Sequence, residues 1–225
     1  MSLLEENGFF LVNLNDSLQP GILPECKVKE SWNNLQPDSY LKQAAKYRER
    51  RYSRCIMNLT ACELDFESSI YIQTEEYNSL FGGVSRTFAA VELDHVFHDF
   101  IKPLTFYVRA VFANRGLLGT KDLSVGIHQI RTIATTHTIG QVTPEGLHKD
   151  GHKLFAIHLI DRKNIIGGNT KIYDNEFQLR STMTLESYLD SLFVQDSRIY
   201  HEVTPIAVEH PYEHGHRDVL IIEFY

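Results

Sequence analysis

At 225 residues the chain is long enough for one domain with a sizeable core, and its 43% hydrophobic and 11% aromatic content argues against a disordered polymer. A formal net charge of −7 lacks the dense basic face that displaces counterions from nucleic acid, so no nucleic-acid partner is expected. Three cysteines (Cys26, Cys55, Cys62) form no C-x-x-C pair, which predicts reduced thiols and a cytoplasmic location. The opening Met1-Ser-Leu-Leu-Glu-Glu is not a signal peptide, and no apolar run approaches the ~20 residues that span a bilayer, so no membrane partner is expected.

In chain order, Gly8-Phe-Phe-Leu-Val-Asn-Leu reads as an opening strand. Asp38 is placed as the N-cap of a helix carrying Leu41, Ala44, Ala45 and Arg48, and Tyr52 to Leu59 reads as a strand. On this reading Arg48, Arg50, Arg51 and Arg54 are mostly a solvated helix end, with Arg54 or Tyr52 the member that lines a pocket. A second helix is predicted from Val91 to Lys102, interrupted at Pro103 and resuming through Tyr107, Val111 and Phe112. From about Leu123 the pattern changes to short β-like runs: Ser124–Thr132, Lys153–Leu159, Thr170–Tyr173, Ser191–Gln195, Arg198–Val208 and Asp218–Phe224. Gly167-Gly168-Asn169, Asp196-Ser197 and His210 to Gly215 break them, the paired glycines being read as turn chemistry. The last strand, Val219-Leu-Ile-Ile-Glu-Phe, is nearly continuously apolar and implies burial on both faces. The expected fold is α+β: one domain over 1–225, with helical support over about 1–122 and a double-stranded β-helix (a cupin-like jelly roll) over about 123–225. The N-terminal helices pack on its major sheet.

All eleven histidines lie at or after His95, which directs any metal chemistry to the second half. His148-Lys149-Asp150 puts two ligand-type residues at i and i+2, on one face of an extended segment, with Lys149 pointing away. An isolated H-x-D is usually accidental, but Pro144-Glu-Gly-Leu before it and Gly151 after it suit a strand opening at a barrel mouth. His201, on a later strand, is the expected third ligand. Two histidines and one carboxylate on one face of an iron leave the opposite positions open, as in non-haem iron oxygenases. Arg217, at the start of the final strand, suits the distal carboxylate of a bound keto acid through two parallel hydrogen bonds. Gln129 and Arg131 share a strand face, with His128 opposite. Gln129 is a candidate to touch the keto acid and Arg131 to bind a substrate carboxylate, set against a purely structural polar layer.

Together, His148-x-Asp150, His201-x-Val-Thr-Pro and Arg217-Asp-Val-Leu-Ile resemble the 2-oxoglutarate/iron dioxygenases, more narrowly the bacterial group of free L-isoleucine 4-hydroxylases. Arg50-Arg51-Tyr52-Ser53-Arg54, Gly126-Ile-His-Gln-Ile-Arg131, Leu147-His-Lys-Asp150 and Ile166-Gly-Gly168 are similar to that group as well, in the family's order from about residue 46 onward. The resemblance implies a double-stranded β-helix, Fe(II), 2-oxoglutarate and O₂, with hydroxylation of a small free amino acid. Its carboxylate would meet Arg131 or, second, Arg54. Val219 stands where many relatives carry a hydroxyl residue to share the keto-acid carboxylate.

Rival readings use the same residues. A cupin-like metal enzyme without a keto acid keeps the triad and has no use for Arg217, and a non-catalytic binding module has no need of His148 and Asp150 together. His210-Pro-Tyr-Glu-His214 matches the inverted zinc-protease pattern, but Pro211 and Gly215 make it a turn. His214 and His216 are rivals to His201, read as solvated loop residues. His95 and His98 are read as exposed helix positions, and His158 as a hydrogen-bonded core histidine.

Overall fold

The computed structural model describes residues 3–15, 24–40 and 47–225. A short helix α1 (Leu3–Asn7) leads into β1 (Phe9–Asn13), and α2 (Glu25–Ser31) continues into a 3-10 turn at Trp32–Asn34. Strands β2 (Gln36–Pro37), β3 (Arg48–Asn58), β4 (Glu63–Ser68), β5 (Ile70–Tyr71) and β6 (Arg86–Thr87) follow. Helical chain from His95 passes through a π-helical turn at Phe97–Ile101 and becomes α3 (Lys102–Ala113). The rest is β7 (Leu123–Ala134), β8 (Leu154–Lys163), β9 (Ile165–Gly167), β10 (Asn169–Tyr173), β11 (Leu179–Thr184), β12 (Asp190–Val194), β13 (Tyr200–Val203), β14 (Ile206–Val208) and β15 (Gly215–Phe224).

The strands assemble into a major sheet ordered β1-β12-β8-β15-β7-β3-β2, with β4 also on β3, facing a minor sheet ordered β11-β10-β13 and the pair β14-β9. This is the double-sheet jelly roll that the run of C-terminal strands predicts. All the pairings are antiparallel, so side chains alternate between two faces. One face of the major sheet, through Phe155, Ile157, Leu159 and Val219, packs inside the barrel against Ile172 and Ile199. The other, through Ile127, Ala156, Leu220, Ile222 and Phe224, packs under α3. The final strand is therefore buried on both faces, as its composition predicts.

The N-terminal half departs from expectation. It contributes β1, β2, β3 and β4 to the major sheet, and only α3 of its described helices exceeds seven residues and packs on that sheet as expected, so the fold does not divide at residue 123 into helices and strands. Asp38 is no helix N-cap. Its amide donates to the Arg48 carbonyl at 2.9 Å, and Arg48 opens β3, so the basic cluster follows a period of two. Leu41, Ala44 and Ala45 lie outside the described residues. The second helix starts later than Val91, where Asp94 Oδ1 accepts the amides of Val96 (2.9 Å) and Phe97 (3.1 Å). Pro103 does not interrupt it. The proline sits in the first turn of α3 directly after the π-helical turn, whose wider i→i+5 spacing accommodates a residue with no N–H. The expected run Arg198–Val208 is two strands, β13 and β14.

α3 closes the outer face with Leu104, Val108 and Phe112, all fully buried. The Phe112 ring meets Phe193 at 5.5 Å and Phe224 at 5.8 Å, both edge-on. Phe112→Ala should lower unfolding stability by about 3–5 kcal/mol, read by denaturant titration, because helix and sheet cannot collapse onto the space left. A cost below about 1 kcal/mol would mean that this helix is not a structural cover.

Candidate active site

The segment carrying His148 and Asp150 is extended without being a strand. It is pinned by a single bridge in which the His148 amide donates to the His201 carbonyl (3.0 Å) and the His201 amide to the His148 carbonyl (2.9 Å). The ligand-type residues thus sit back to back across β13. The Asp196 carboxylate, in the 3-10 turn after β12, accepts the amides of Asp150 (3.0 Å) and Gly151 (2.9 Å) and fixes the loop from below. Lys149 points away, donating to Asn175 Oδ1 (2.8 Å) and the Ser197 carbonyl (3.0 Å). The alternation read from the sequence therefore holds without a ladder.

One nitrogen or oxygen from each of His148, Asp150 and His201 falls within 4.8 Å of the others, a spread that one ion can bridge. His148 Nε2 lies 3.4 Å from Asp150 Oδ1, and His201 Nε2 lies 3.7 Å from Asp150 Oδ2. His148 Nδ1 donates to the Gly146 carbonyl at 2.8 Å, which turns Nε2 toward the cluster. Burial disfavours the Asp150 carboxylate, but the His148 hydrogen bond and the two imidazoles outweigh it and hold its pKa at about 2. Burial also lowers His148, yet hydrogen bonding and charge from Asp150 raise it to about 9, whereas burial and then the neighbouring His148 take His201 down to about 4. The ionised Asp150 carboxylate faces both imidazole Nε2 atoms, an arrangement that favours a cation among them. The donor set, two imidazole nitrogens and a carboxylate, fits iron(II).

β15 and β7 pair Arg217 with Thr132, Val219 with Ile130 and Ile221 with His128, so these residues share the inner face. A cavity beside the triad is walled by Ile130, Ile157, Val203, Val219 and Ile221, with Arg217 and Thr132 at its far end. Arg217 is 3% exposed, and its Nε and Nη2 have no hydrogen-bond partner among the described residues. Burial and then the neighbouring Arg162 lower its pKa to about 10. A buried guanidinium left open toward a cavity is shaped for an anion. The paired glycines do more than turn the chain. Both have positive φ (+82° and +71°), and a Cβ on Gly168 would stand 3.0 Å from Arg162 Nη1 and 3.6 Å from Arg217 Cδ.

Gln129 and Arg131 do not reach this cavity. β7 turns His128, Ile130 and Thr132 inward, so the two intervening side chains leave by the opposite face. Arg131 is saturated there by Asp218, through Nε at 2.8 Å and Nη2 at 2.7 Å, and it also reaches Asn33. The structural-layer reading of Arg131 fits this geometry. Arg54 donates to Ser124 Oγ at 2.8 Å and lies 4.6 Å over the Tyr225 ring, away from the cavity lining. His216 belongs to β15 rather than a loop and lies 2.9 Å from Asp161, while His214 is exposed in the turn that follows His210. With Asp161 and Asp218, His216 forms another ligand-type cluster, but Lys29 and Arg131 already neutralise its acids. His95 and His98 are exposed on the helix, and His158 Nδ1 lies 2.8 Å from Ser191 Oγ in the core.

Sequence reasoning missed Glu223, Arg50 and Arg86. Glu223 is buried on the inner face within 2.9 Å of His128 Nε2 and 3.2 Å of His152 Nε2, and Tyr225 donates to it at 3.2 Å. The polar residue in the apolar final strand was its only signal. A second cavity, lined by Arg48, Arg50, Gln73, Arg86, Glu145 and His128 among others, meets the first at Asp150.

A sequence profile for the family described as 2OG-Fe dioxygenase matches residues 29–223. Over 98% of its length the chain is 30% identical to a Bacillus thuringiensis protein named L-isoleucine-4-hydroxylase, of which it covers 91%. It is 26% identical to a Pantoea ananatis protein named 3(1)-hydroxy-L-isoleucine 4-dioxygenase, over 88% of this chain and 79% of that one. Its fold is similar to the crystal structure of a bsmA homolog from Methylobium petroleophilum PM1, with TM-score 0.83 at 26% identity over 98% of this chain and 89% of the other. The crystal structure of IDO from Bacillus thuringiensis shares the fold at TM-score 0.79 and 24% identity, over 99% and 92% of the two chains.

Proposed function

The chain belongs to the 2OG-Fe dioxygenase family, which uses Fe(II), 2-oxoglutarate and O₂, and we propose that it hydroxylates a free aliphatic L-amino acid, releasing succinate and CO₂. The observation that carries this reading is the His148–Asp150–His201 cluster opening onto a cavity that ends in the unpaired Arg217 guanidinium. The named relatives support the amino-acid substrate.

In this reading His148 Nε2, His201 Nε2 and an Asp150 oxygen would hold the iron. When bound, iron and keto acid supply the oxidising power that activates an aliphatic C–H bond. Arg217 fixes the distal carboxylate of 2-oxoglutarate through its planar fork, and Thr132, opposite it on β7, offers the hydroxyl that Val219 lacks. Ile130, Ile157, Val203 and Val219 keep water from the reacting centre. Asp196 keeps the ligand loop in place through the backbone amides of Asp150 and Gly151. A cytoplasmic location is part of the proposal, in keeping with three unpaired cysteines, and no helix among the described residues is long and apolar enough to cross a membrane.

The test is a panel of free amino acids incubated with protein, Fe(II), 2-oxoglutarate and air. One of them should gain a single oxygen by mass spectrometry while succinate forms in equal amount. Oxygenation without 2-oxoglutarate consumption would favour a cupin-like enzyme with no keto acid, for which a buried Arg217 has no purpose.

A further inference from the structure

Among the described residues several arginines sit partly or wholly inside this fold, and their neighbours separate structural from ligand-binding ones. Arg131 is closed by a two-point contact with Asp218. Arg217 is open toward the proposed keto-acid cavity. Arg50 at 4% exposure and Arg86 at 5% are the most buried arginines lining the second cavity, beside the half-buried Arg48. Among the described residues Arg86 has no carboxylate within 4.0 Å, and Arg50 has only Asp38, at 3.8 Å. The Nε of each is buried without a partner. Two buried cations so poorly compensated are costly unless an anion completes them.

Both guanidinium groups are held rather than loose. Arg50 lies 4.0 Å from the Phe88 ring centroid, and Arg86 lies 4.9 Å from that of Tyr71 and 5.0 Å from that of Phe81. Arg86 Nη2 donates to Gln73 Oε1 at 2.9 Å, and Arg50 Nη2 donates to His128 Nδ1. His128 can accept there only with its proton on Nε2, which Glu223 Oε2 favours from 2.9 Å away. Glu223 therefore acts as a positioning residue for Arg50 through His128. Stacked faces and anchored Nη2 atoms leave the remaining guanidinium edges for a ligand.

The cavity fixes where that ligand sits. Asp150, Glu145, Ile130 and Ile221 line both cavities, so the triad's carboxylate lies between the Arg217 seat and the Arg50/Arg86 seat. Building on the amino-acid reading above, we propose that Arg86 and Arg50 bind the substrate's carboxylate and that Glu145 receives its ammonium group. The aliphatic chain then lies along Ile130 and Ile221 beside the metal ligands. This assigns carboxylate recognition to β3 and β6 instead of to Arg131 or Arg54.

The test measures binding without turnover, by calorimetry on protein loaded with Zn(II) and 2-oxoglutarate. The probes are L-isoleucine and other aliphatic amino acids, their carboxamides, and 3-methylpentanoate. Wild-type protein should bind its amino acid about tenfold or more tighter than the carboxamide, the scale of one lost charge-assisted contact. Arg86→Lys and Arg50→Lys should each erase most of that preference while 2-oxoglutarate affinity and Tm stay near wild type, which guards against a folding defect. Glu145→Gln should weaken the amino acid and leave 3-methylpentanoate unchanged. Equal affinity for acid and amide, an undiminished preference in Arg86→Lys, or parallel loss of 2-oxoglutarate binding overturns the assignment. If no amino acid binds but a simple carboxylate does so in an Arg86-dependent way, the carboxylate seat stands and the amino-acid reading falls.

Discussion

Asp150→Ala should abolish metal-dependent succinate formation while the protein remains folded, with His148→Ala and His201→Ala behaving alike. The carboxylate supplies the negative charge of the cluster and lies within 3.7 Å of both imidazoles, so its loss leaves two neutral donors and a weak site. The backbone does not depend on it. The loop is held by Asp196 through the amides of residues 150 and 151, and by the paired amide–carbonyl bonds between His148 and His201. Asp196→Ala provides the scale. A residue that only orients a ligand costs about 10–100-fold in metal affinity, so loss of a ligand itself should exceed about 100-fold. Metal titration followed by Co(II) absorption, with far-UV dichroism as the fold control, reads both. His210→Ala and His214→Ala, in the exposed turn, should change little, as should His216→Ala, whose ring is turned to Asp161. Retained Co(II) binding in His201→Ala, or a dead His214→Ala, would overturn the assignment of the triad.

The sequence carried the site's chemistry further than its geometry. His148 and Asp150 were legible because a two-residue spacing survives in any extended segment, strand or not. His201 was legible from its place in a β-like run after the Asp196-Ser197 break, and Arg217 from standing where the nearly continuously apolar final strand begins. Gln129 and Arg131 went to the wrong side for a reason of parity. On a strand buried on both faces, the pattern of β7 does not say which set of alternate residues points into the barrel, and a one-residue choice moves every side chain to the other face. Arg50 and Arg86 were obscured differently. The run of charges Arg48 to Arg51 at the start of β3 imitates a solvated segment, Arg86 stands on a two-residue strand, and only the rings of Tyr71, Phe81 and Phe88 from the segment 71–88 cover the two guanidinium groups. Asp196 looked like a plain turn residue because what it binds is backbone, which no side-chain pattern announces.

Arg217→Lys should raise the 2-oxoglutarate requirement about tenfold or more while leaving metal binding unchanged. The charge is retained, so a purely electrostatic role for Arg217 predicts little effect. A guanidinium presents two parallel donors in one plane, and an ammonium on a shorter reach presents one contact at a time. Losing one charge-assisted hydrogen bond is worth about 1.5–3 kcal/mol, roughly 10–150-fold in affinity. The surroundings leave little room for adjustment. Arg217 is buried, Gly168 lies against its side chain, and Val219 offers no hydroxyl in compensation. Thr132→Val should add a smaller loss of its own, because a neutral hydroxyl contributes less than a charged fork. Titration of 2-oxoglutarate into the metal-loaded protein separates this from a defect at the triad, since Co(II) affinity must stay at the wild-type value. Unaltered keto-acid affinity in both Arg217→Lys and Arg217→Met would shift the anion to the Arg50 and Arg86 seat, and the two cavities would exchange their occupants.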